Sequence, residues 1–417
     1  MHDNLTKALS LLGMGEGYVQ NKQGEATGLI SSSEHAKALF AYLNMADYLS
    51  ESLIKKAVEY LAAAKVFARD KAIVLADLIT ACKLSNQNGQ FDGECFIENF
   101  AKQTYFTVSD IIDLIVFLQQ TAFDRQCGVE RDRLQVKPWM KKHNLAFKEY
   151  ATKLSVVSPL VPQKNHYAAV GIMGASSGRV KTRLAYFLNL TINCDFVWVL
   201  SGDRELLEGL DEGEIMEQTA RYFEKPIKYV KKQVGVDTRE FLEGVTETMM
   251  VNYLIQQTCP HKKIEIIDSA IELGHWRTTA AKSATDIADI MIDKIQLREI
   301  KPAQDGRYYF MVIAEQPYTG RMARQVQREF NKEIKQRGAE GEIFITVEGC
   351  GPGISEQALS NGSVLACINS ELGALMGERF NDARCIMQQN PGLVLRDPSI
   401  VMFTQREETF KALSRTI

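Results

Sequence analysis

The stretch Tyr167-Ala168-Ala169-Val170-Gly171-Ile172-Met173, followed by Gly174-Ala175-Ser176-Ser177-Gly178-Arg179-Val180-Lys181-Thr182-Arg183, decides the fold class. A continuous apolar run without alternation describes a strand covered on both faces, the condition of a parallel strand between two helical layers. Small residues then make a tight turn, and a helical pattern begins behind it. The same grammar recurs in Phe196–Leu200, Ile264–Ile267, Tyr309–Ala314 and Ile343–Val347. Their turns begin Ser201-Gly202-Asp203-Arg204, Asp268-Ser269, Glu315-Gln316-Pro317-Tyr318-Thr319-Gly320-Arg321 and Glu348-Gly349-Cys350-Gly351-Pro352-Gly353. Helical patterns over 179–191, 246–257, 278–295, 320–336 and 357–380 alternate with the runs. Strand then helix, repeated, predicts an α/β domain with a doubly wound, mainly parallel five-stranded sheet of Rossmann-like type. In such a sheet ligands bind beyond the carboxyl ends of the strands, so the five turns locate the site.

Working outward, 203–245 is too long for a simple connection and reads as a largely helical insertion within the α/β domain, which spans 165–380. Pro159 and Pro162 lie in the connection before it. Residues 34–155 repeat apolar positions at spacings of three and four, as in Leu39, Phe40, Leu43, Ala46 and Leu49, and predict a preceding all-α domain. Residues 1–33 read as a flexible arm, and 381–417 as a C-terminal extension with one further edge strand at Ser399–Phe403. Lys137-Pro138-Trp139-Met140-Lys141-Lys142-His143 reads as a solvated basic helix start, with an acidic partner as the alternative.

Composition excludes whole classes of function. With 417 residues, a formal net charge of -3 and 24% charged residues, the chain carries no global electrostatic case for nucleic acid or an anionic membrane surface. No apolar run reaches the roughly 20 residues that span a bilayer. The eight cysteines are scattered without a C-x-x-C pair, and the six histidines are as dispersed, so no metal site is expected and no cofactor is indicated. The start lacks a secretory pattern, which predicts a cytoplasmic protein or one delivered by a leaderless route into another cell.

The strand-end residues carry the chemistry. Gly174 lets the backbone turn closely, Ser176 and Ser177 offer hydroxyls, and the helix behind them offers unpaired N–H groups to an anion. Arg179 and Arg183, four apart, share a helical face and add charge-assisted bonds. Ser201 and Gly202 form the next turn, with Ser201 either a nucleophile or a hydrogen-bonding hydroxyl. Glu247, after the capping residue Thr246, either serves the helix dipole or acts as a general base. His275, Arg277 and Thr278 precede a long helix; Arg277 and Thr278 suit an anion, and His275 with Ser201 or Ser176 and Asp268 would make a hydrolase triad. Gln316, Tyr318, Arg321 and Arg324 form an aromatic and basic turn suited to a flat or phosphorylated ligand, and Cys350 is a conceivable thiol nucleophile.

This order of features resembles the SanA/YdcF-like family of α/β proteins of unknown activity. The family pattern has a Gly-rich first turn, a serine–glycine turn, a glutamate opening the next helix and an aromatic–basic fourth turn. Here these are Gly174 to Arg183, Ser201-Gly202, Glu247, and Tyr318 with Arg321 and Arg324, over roughly 165–350. The family's asparagine–threonine at a helix start stands here as Arg277-Thr278-Thr279, and its histidine in the fourth turn is absent. The resemblance implies a Rossmann-like fold and a cleft built from these residues; it names no substrate. The resulting expectation is a protein that binds, and acts as a hydrolase or transferase on, a small phosphorylated or nucleotide-like compound. Glu247 and Ser201 are the catalytic candidates. The alternatives are a non-catalytic ligand-binding or regulatory protein, whose helical domain contacts a protein partner, and a methyl-donor-binding protein.

Overall fold

The computed structural model describes residues 156–202, 206–207, 213–230, 244–269 and 280–360, together with 138–142, 144–153, 362, 364–371 and a few isolated earlier positions. The chain divides into two compact units, one of 158–354 with 20–25, the other of 1–19, 26–157 and 355–417.

Unit 158–354 is an α/β domain. Its strands β1 (His166–Ile172), β2 (Asn193–Gly202), β3 (Glu265–Ser269), β4 (Tyr308–Ile313) and β5 (Ile345–Cys350) form a five-stranded sheet. Every pairing is parallel and the spatial order is β3-β2-β1-β4-β5. Helices α1 (Ser177–Leu188), α2 (Glu214–Phe223), α3 (Glu247–Thr258), α4 (Ala280–Gln296) and α5 (Thr319–Gln336) connect them. The fold is the predicted Rossmann-like one.

Two cores explain why the strands read as unbroken apolar runs. On one face Val180, Leu184 and Phe187 of α1 and Met250, Val251 and Leu254 of α3 pack on Tyr167, Val170, Ile172 and Val199. On the other, Ile287, Met291 and Ile295 of α4 and Val326, Phe330 and Ile334 of α5 pack on Trp198, Phe310 and Val312. The helical spacings of three and four in these lists are the amphipathic stripes visible in the sequence. The rings of Trp198 and Phe310 stack with centroids 6.1 Å apart, and Phe330 meets Phe310 edge-on at 5.2 Å. Phe310 fits because Gly171 faces it across the pairing of β1 with β4: a Cβ there would stand 2.8 Å from the ring.

Within 203–245 the described residues are not helical throughout. Helix α2 is present, and Leu206–Leu207 pairs in parallel with Tyr229–Val230. Helix α2 packs toward α3 through the Tyr253–Gln218 hydrogen bond, 3.0 Å, and contact of the Tyr222 and Tyr253 rings.

The fifth strand runs later than its apolar run suggests. Ile343 is held in a turn by its N–H bonding to Ala339, and Glu348, Gly349 and Cys350, expected in the turn, belong to the strand. Among the described strands β5 is an edge, and part of its outer side is covered. Gln327 of α5 accepts from the Val347 N–H at 2.8 Å and donates to the Ile345 carbonyl at 3.0 Å. Farther along, Gly351 and Leu160 exchange both backbone bonds, 2.8 and 3.0 Å. These bonds occupy groups that would otherwise offer a template for strand addition.

In the other unit the described helical segments include Pro138–Lys142 and Asn144–Lys153, with Met140 and Ala151 buried. Lys148 there donates to Ser360 at 3.4 Å. The rest of the expected all-α domain, the arm at 1–33 and the strand at Ser399–Phe403 lie mostly or wholly outside the described residues. No described helix is long and apolar enough to cross a membrane.

Gly351 closes the edge most tightly, since a Cβ on it would lie 1.6 Å from the Ala314 carbonyl oxygen. Gly351→Ala is expected to lower the unfolding free energy by about 3 kcal/mol or more, because backbone rather than a flexible side chain must move. Urea unfolding of the two proteins measures it, and a change under about 1 kcal/mol would contradict this packing.

Candidate functional site

The strand order reverses between β1 and β4, so their turns leave toward helices on opposite faces and a crevice opens between them. One side chain joins its walls. Arg183, buried on α1, donates its Nε–H to Glu315 after β4, and its Nη1 to the carbonyls of Met173 and Gly174, the latter at 3.0 Å. Arg179, one turn earlier, lies 3.3 Å from the second Glu315 oxygen, sits over the Tyr318 ring at 5.2 Å, and is about a third exposed. Two of the predicted arginines therefore share a carboxylate that the sequence reading had not selected. Arg183 organises the turn; Arg179 is the more accessible cation.

The start of α1 is open. Ser176 occupies the N-cap position without a side-chain cap bond, and its carbonyl takes the Arg179 and Val180 N–H groups at 3.0 and 3.1 Å. A Cβ on Gly178 would meet nothing within 4 Å. By contrast α3 is capped by Thr246, whose hydroxyl accepts from the Met249 N–H at 3.3 Å. Gly174 is required by crowding: a Cβ on it would lie 2.2 Å from the Leu200 carbonyl oxygen and 3.1 Å from Glu247 Oε1. The buried carboxylate of Glu247 thus faces the first turn, although it opens α3, which follows α1, β2 and α2 in the chain.

The fourth turn is held by bonds to residues outside it. Gln316, expected to touch ligand, is buried and donates its side-chain amide to the Ser158 carbonyl at 2.9 Å, while its N–H bonds to Pro352 at 3.1 Å. Tyr318 and Arg321 are buried and Arg324 half-buried at the start of α5. At the neighbouring strand ends, Ser201 and Asp268 are register partners on β2 and β3, with Gly202 beside Ser269. Thr248 Oγ1 lies 3.1 Å from Ser201 Oγ and 3.0 Å from Asp268 Oδ1. Arg277, Thr278 and His275 lie outside the described residues. Among the described residues no three His, Cys, Asp or Glu side chains form a metal-binding group.

A second polar cluster is buried beneath residues 158–164. Tyr167 donates its hydroxyl to Glu348, which also accepts the Gln163 N–H at 2.6 Å. Burial pushes the Glu348 carboxyl above its ordinary range, against the opposing hydrogen bonds. Burial and the nearby Glu348 drive the Cys350 thiol well upward, so Cys350 is a protonated, packed thiol and unsuited to nucleophilic attack. Tyr186, which donates to the Leu160 carbonyl at 2.8 Å, is pushed up to about 12 by burial. The sequence signal for this cluster was a lone glutamate at the end of an apolar run.

The chain matches no protein-family model, no curated protein and no solved structure.

Because the native Glu348 pKa is raised, the folded state holds its proton more tightly than the unfolded chain does. The stability cost is absent below the ordinary carboxylate range and grows as pH rises from there through the native value. Glu348→Gln is therefore expected to gain stability relative to the unsubstituted protein between about pH 4 and about pH 7. Urea unfolding at both pH values reads the gap, and a gap that stays constant would show that this carboxyl titrates alike in both states.

Proposed function

We propose that the crevice between the turns after β1 and β4 binds a small anionic compound, phosphorylated or nucleotide-like, and that the protein acts on it as a hydrolase or transferase. The observation that carries this reading is the open start of α1 at the point where the strand order reverses. Its first N–H groups meet no side-chain cap, Gly178 leaves space, and Arg179 stands beside them partly exposed. Unpaired amides, the positive end of the helix and a guanidinium all favour a phosphoryl group there. Glu315 holds Arg179 in place through one ion pair, and an incoming phosphoryl group would compete with that pair for the same guanidinium.

Glu247 is the candidate base. It is buried, it opens α3, and its carboxylate lies against the Gly174 turn. A carboxylate near the start of α1 suits proton abstraction from a hydroxyl or water of the bound compound. The resemblance to the SanA/YdcF-like family belongs to the same proposal. What supports it is that its glycine turn and its glutamate, far apart in the chain, are neighbours in space.

Titration calorimetry with inorganic phosphate and adenosine monophosphate tests this. Arg179→Ala is expected to weaken both at least tenfold, the effect of losing one charge-assisted bond of about 1.5–3 kcal/mol. Glu247→Gln should retain binding while losing turnover. Equal affinities for Arg179→Ala and the unsubstituted protein would place the anion elsewhere.

A further inference from the structure

Residues 158–164 lie along the β5 edge and meet it at a single bridge, Leu160 with Gly351. Pro159 and Pro162 have no N–H to give, so a regular ladder is closed to this segment. Separate bonds hold it instead. Leu160 exchanges both backbone bonds with Gly351, its carbonyl also takes the Tyr186 hydroxyl at 2.8 Å, and the Ser158 carbonyl takes the Gln316 amide at 2.9 Å. Two more end on one buried pair. The Gln163 N–H goes to Glu348 at 2.6 Å and the Lys164 N–H to the Tyr167 hydroxyl at 3.2 Å, while Tyr167 itself donates to Glu348. Apolar burial adds little, since Val161 is 59% exposed and Ser158, Pro159 and Gln163 face water. A surface segment held by a few polar bonds opens before the core does.

Opening has a consequence for charge. In the closed arrangement Glu348 is 6% exposed, and lifting Gln163 away brings water to its carboxyl. Burial disfavours the carboxylate in the closed state and not in the open one. The neighbouring groups do not titrate in its place. Burial pushes Tyr167 of β1 and Cys350 of β5 well up and Tyr186 of α1 to about 12, so each keeps its proton near neutrality. On β4, Tyr309 is raised by burial and donates to Asp305, whose carboxyl that bond holds low and charged. Arg307 reaches Thr346 of β5 at 3.4 Å, and Lys164 stands 4.1 Å from the centroid of the Tyr309 ring. Lys164 favours the Glu348 carboxylate, as do the bonds from Tyr167, Gln163 and Cys350, but burial outweighs them. The closed state therefore holds the Glu348 proton more tightly than the open one. Below the ordinary carboxylate range both states are protonated and pH has no effect. As pH rises from there through the closed-state value, ionisation favours opening by up to about tenfold per pH unit.

We infer that residues 158–164 are a pH-operated strap, fastened to the sheet edge while Glu348 is a neutral acid and released when Glu348 becomes a carboxylate. The neutral acid still accepts the Gln163 N–H through its carbonyl oxygen, so the closed strap keeps its bond. Release uncovers the backbone of Gly351 and withdraws Ser158 from Gln316, which removes one brace of the fourth turn. The strap stands independently of the anion reading of the crevice.

Hydrogen exchange of the full chain, read by mass spectrometry and corrected for the intrinsic rate at each pH, tests this. Protection of the peptide spanning 156–166 is expected to fall about threefold or more between about pH 5 and about pH 8, and protection of the α5 peptide to fall less. In Glu348→Gln the strap's protection should not depend on pH. Tyr167→Phe serves as a second variant if Glu348→Gln fails to fold. It takes a donor from the carboxylate, so the fall should exceed that of the unsubstituted protein. Protection that is flat with pH, that falls equally in Glu348→Gln, or that falls only in step with α5 overturns the inference, as does a smaller fall in Tyr167→Phe.

Discussion

The ion pair between Arg183 and Glu315 is the constraint on which the rest of the crevice depends. Side chains of the two are 5% and 16% exposed, so the charges are held largely out of water. Burying such a pair costs desolvation, and good geometry with further hydrogen bonds is what offsets it. Here the guanidinium also takes the carbonyls of Met173 and Gly174, which would otherwise be unpaired at the end of a buried strand. The pair thereby ties the turn of β1, which leads to one face of the sheet, to the turn of β4, which leads to the other. With the Gly174 turn held, there is no room for a Cβ between it and the Leu200 carbonyl and Glu247 carboxylate, and the start of α1 follows directly from the turn.

The edge beside this crevice shows the same economy of polar groups. Among the described strands β5 has no neighbour beyond it in the sheet, and Gln327 takes two of its outward backbone groups while Leu160 pairs with Gly351 just after it. The segment 158–164 contacts Gly351 just after β5, Glu348 through the Gln163 N–H, α1 through Tyr186, and the fourth turn through Gln316. A Gln316 committed to the Ser158 carbonyl keeps the fourth turn in register with that segment. The turn is thus braced from both sides, by Arg183 within the crevice and by Ser158 outside it.

How much of this was legible in the sequence follows from the range of each interaction. Central strands buried on both faces are largely apolar, so β1, β2 and β4 announce themselves, while β3, an outer strand of the described sheet, shows only the short run Ile264–Ile267; α1, α3, α4 and α5 follow from spacings of three and four. The end of β5 did not, because Glu348 looks like a turn residue until Tyr167 and the Gln163 N–H satisfy it. Gly174, Arg179, Arg183 and Glu247 were legible as chemistry, but their division of labour was not. That Arg183 is structural depends on Glu315, 132 residues away, and no local pattern encodes such a pairing. Thr248 was hidden for a different reason: beside the capping Thr246 it reads as part of a helix start, and only the register of β2 with β3 gives it two partners.

These assignments change the character of the cleft. A set of arginines converging on strand ends suggests a site that is positive throughout and that selects ligands by charge alone. Glu315 pairs with both Arg179 and Arg183, and Arg183 is spent on the backbone, so of these two Arg179 is the one beside the amides of α1 that stays partly exposed. A concentrated donor site can hold one phosphoryl group but offers little to distinguish one phosphorylated compound from another.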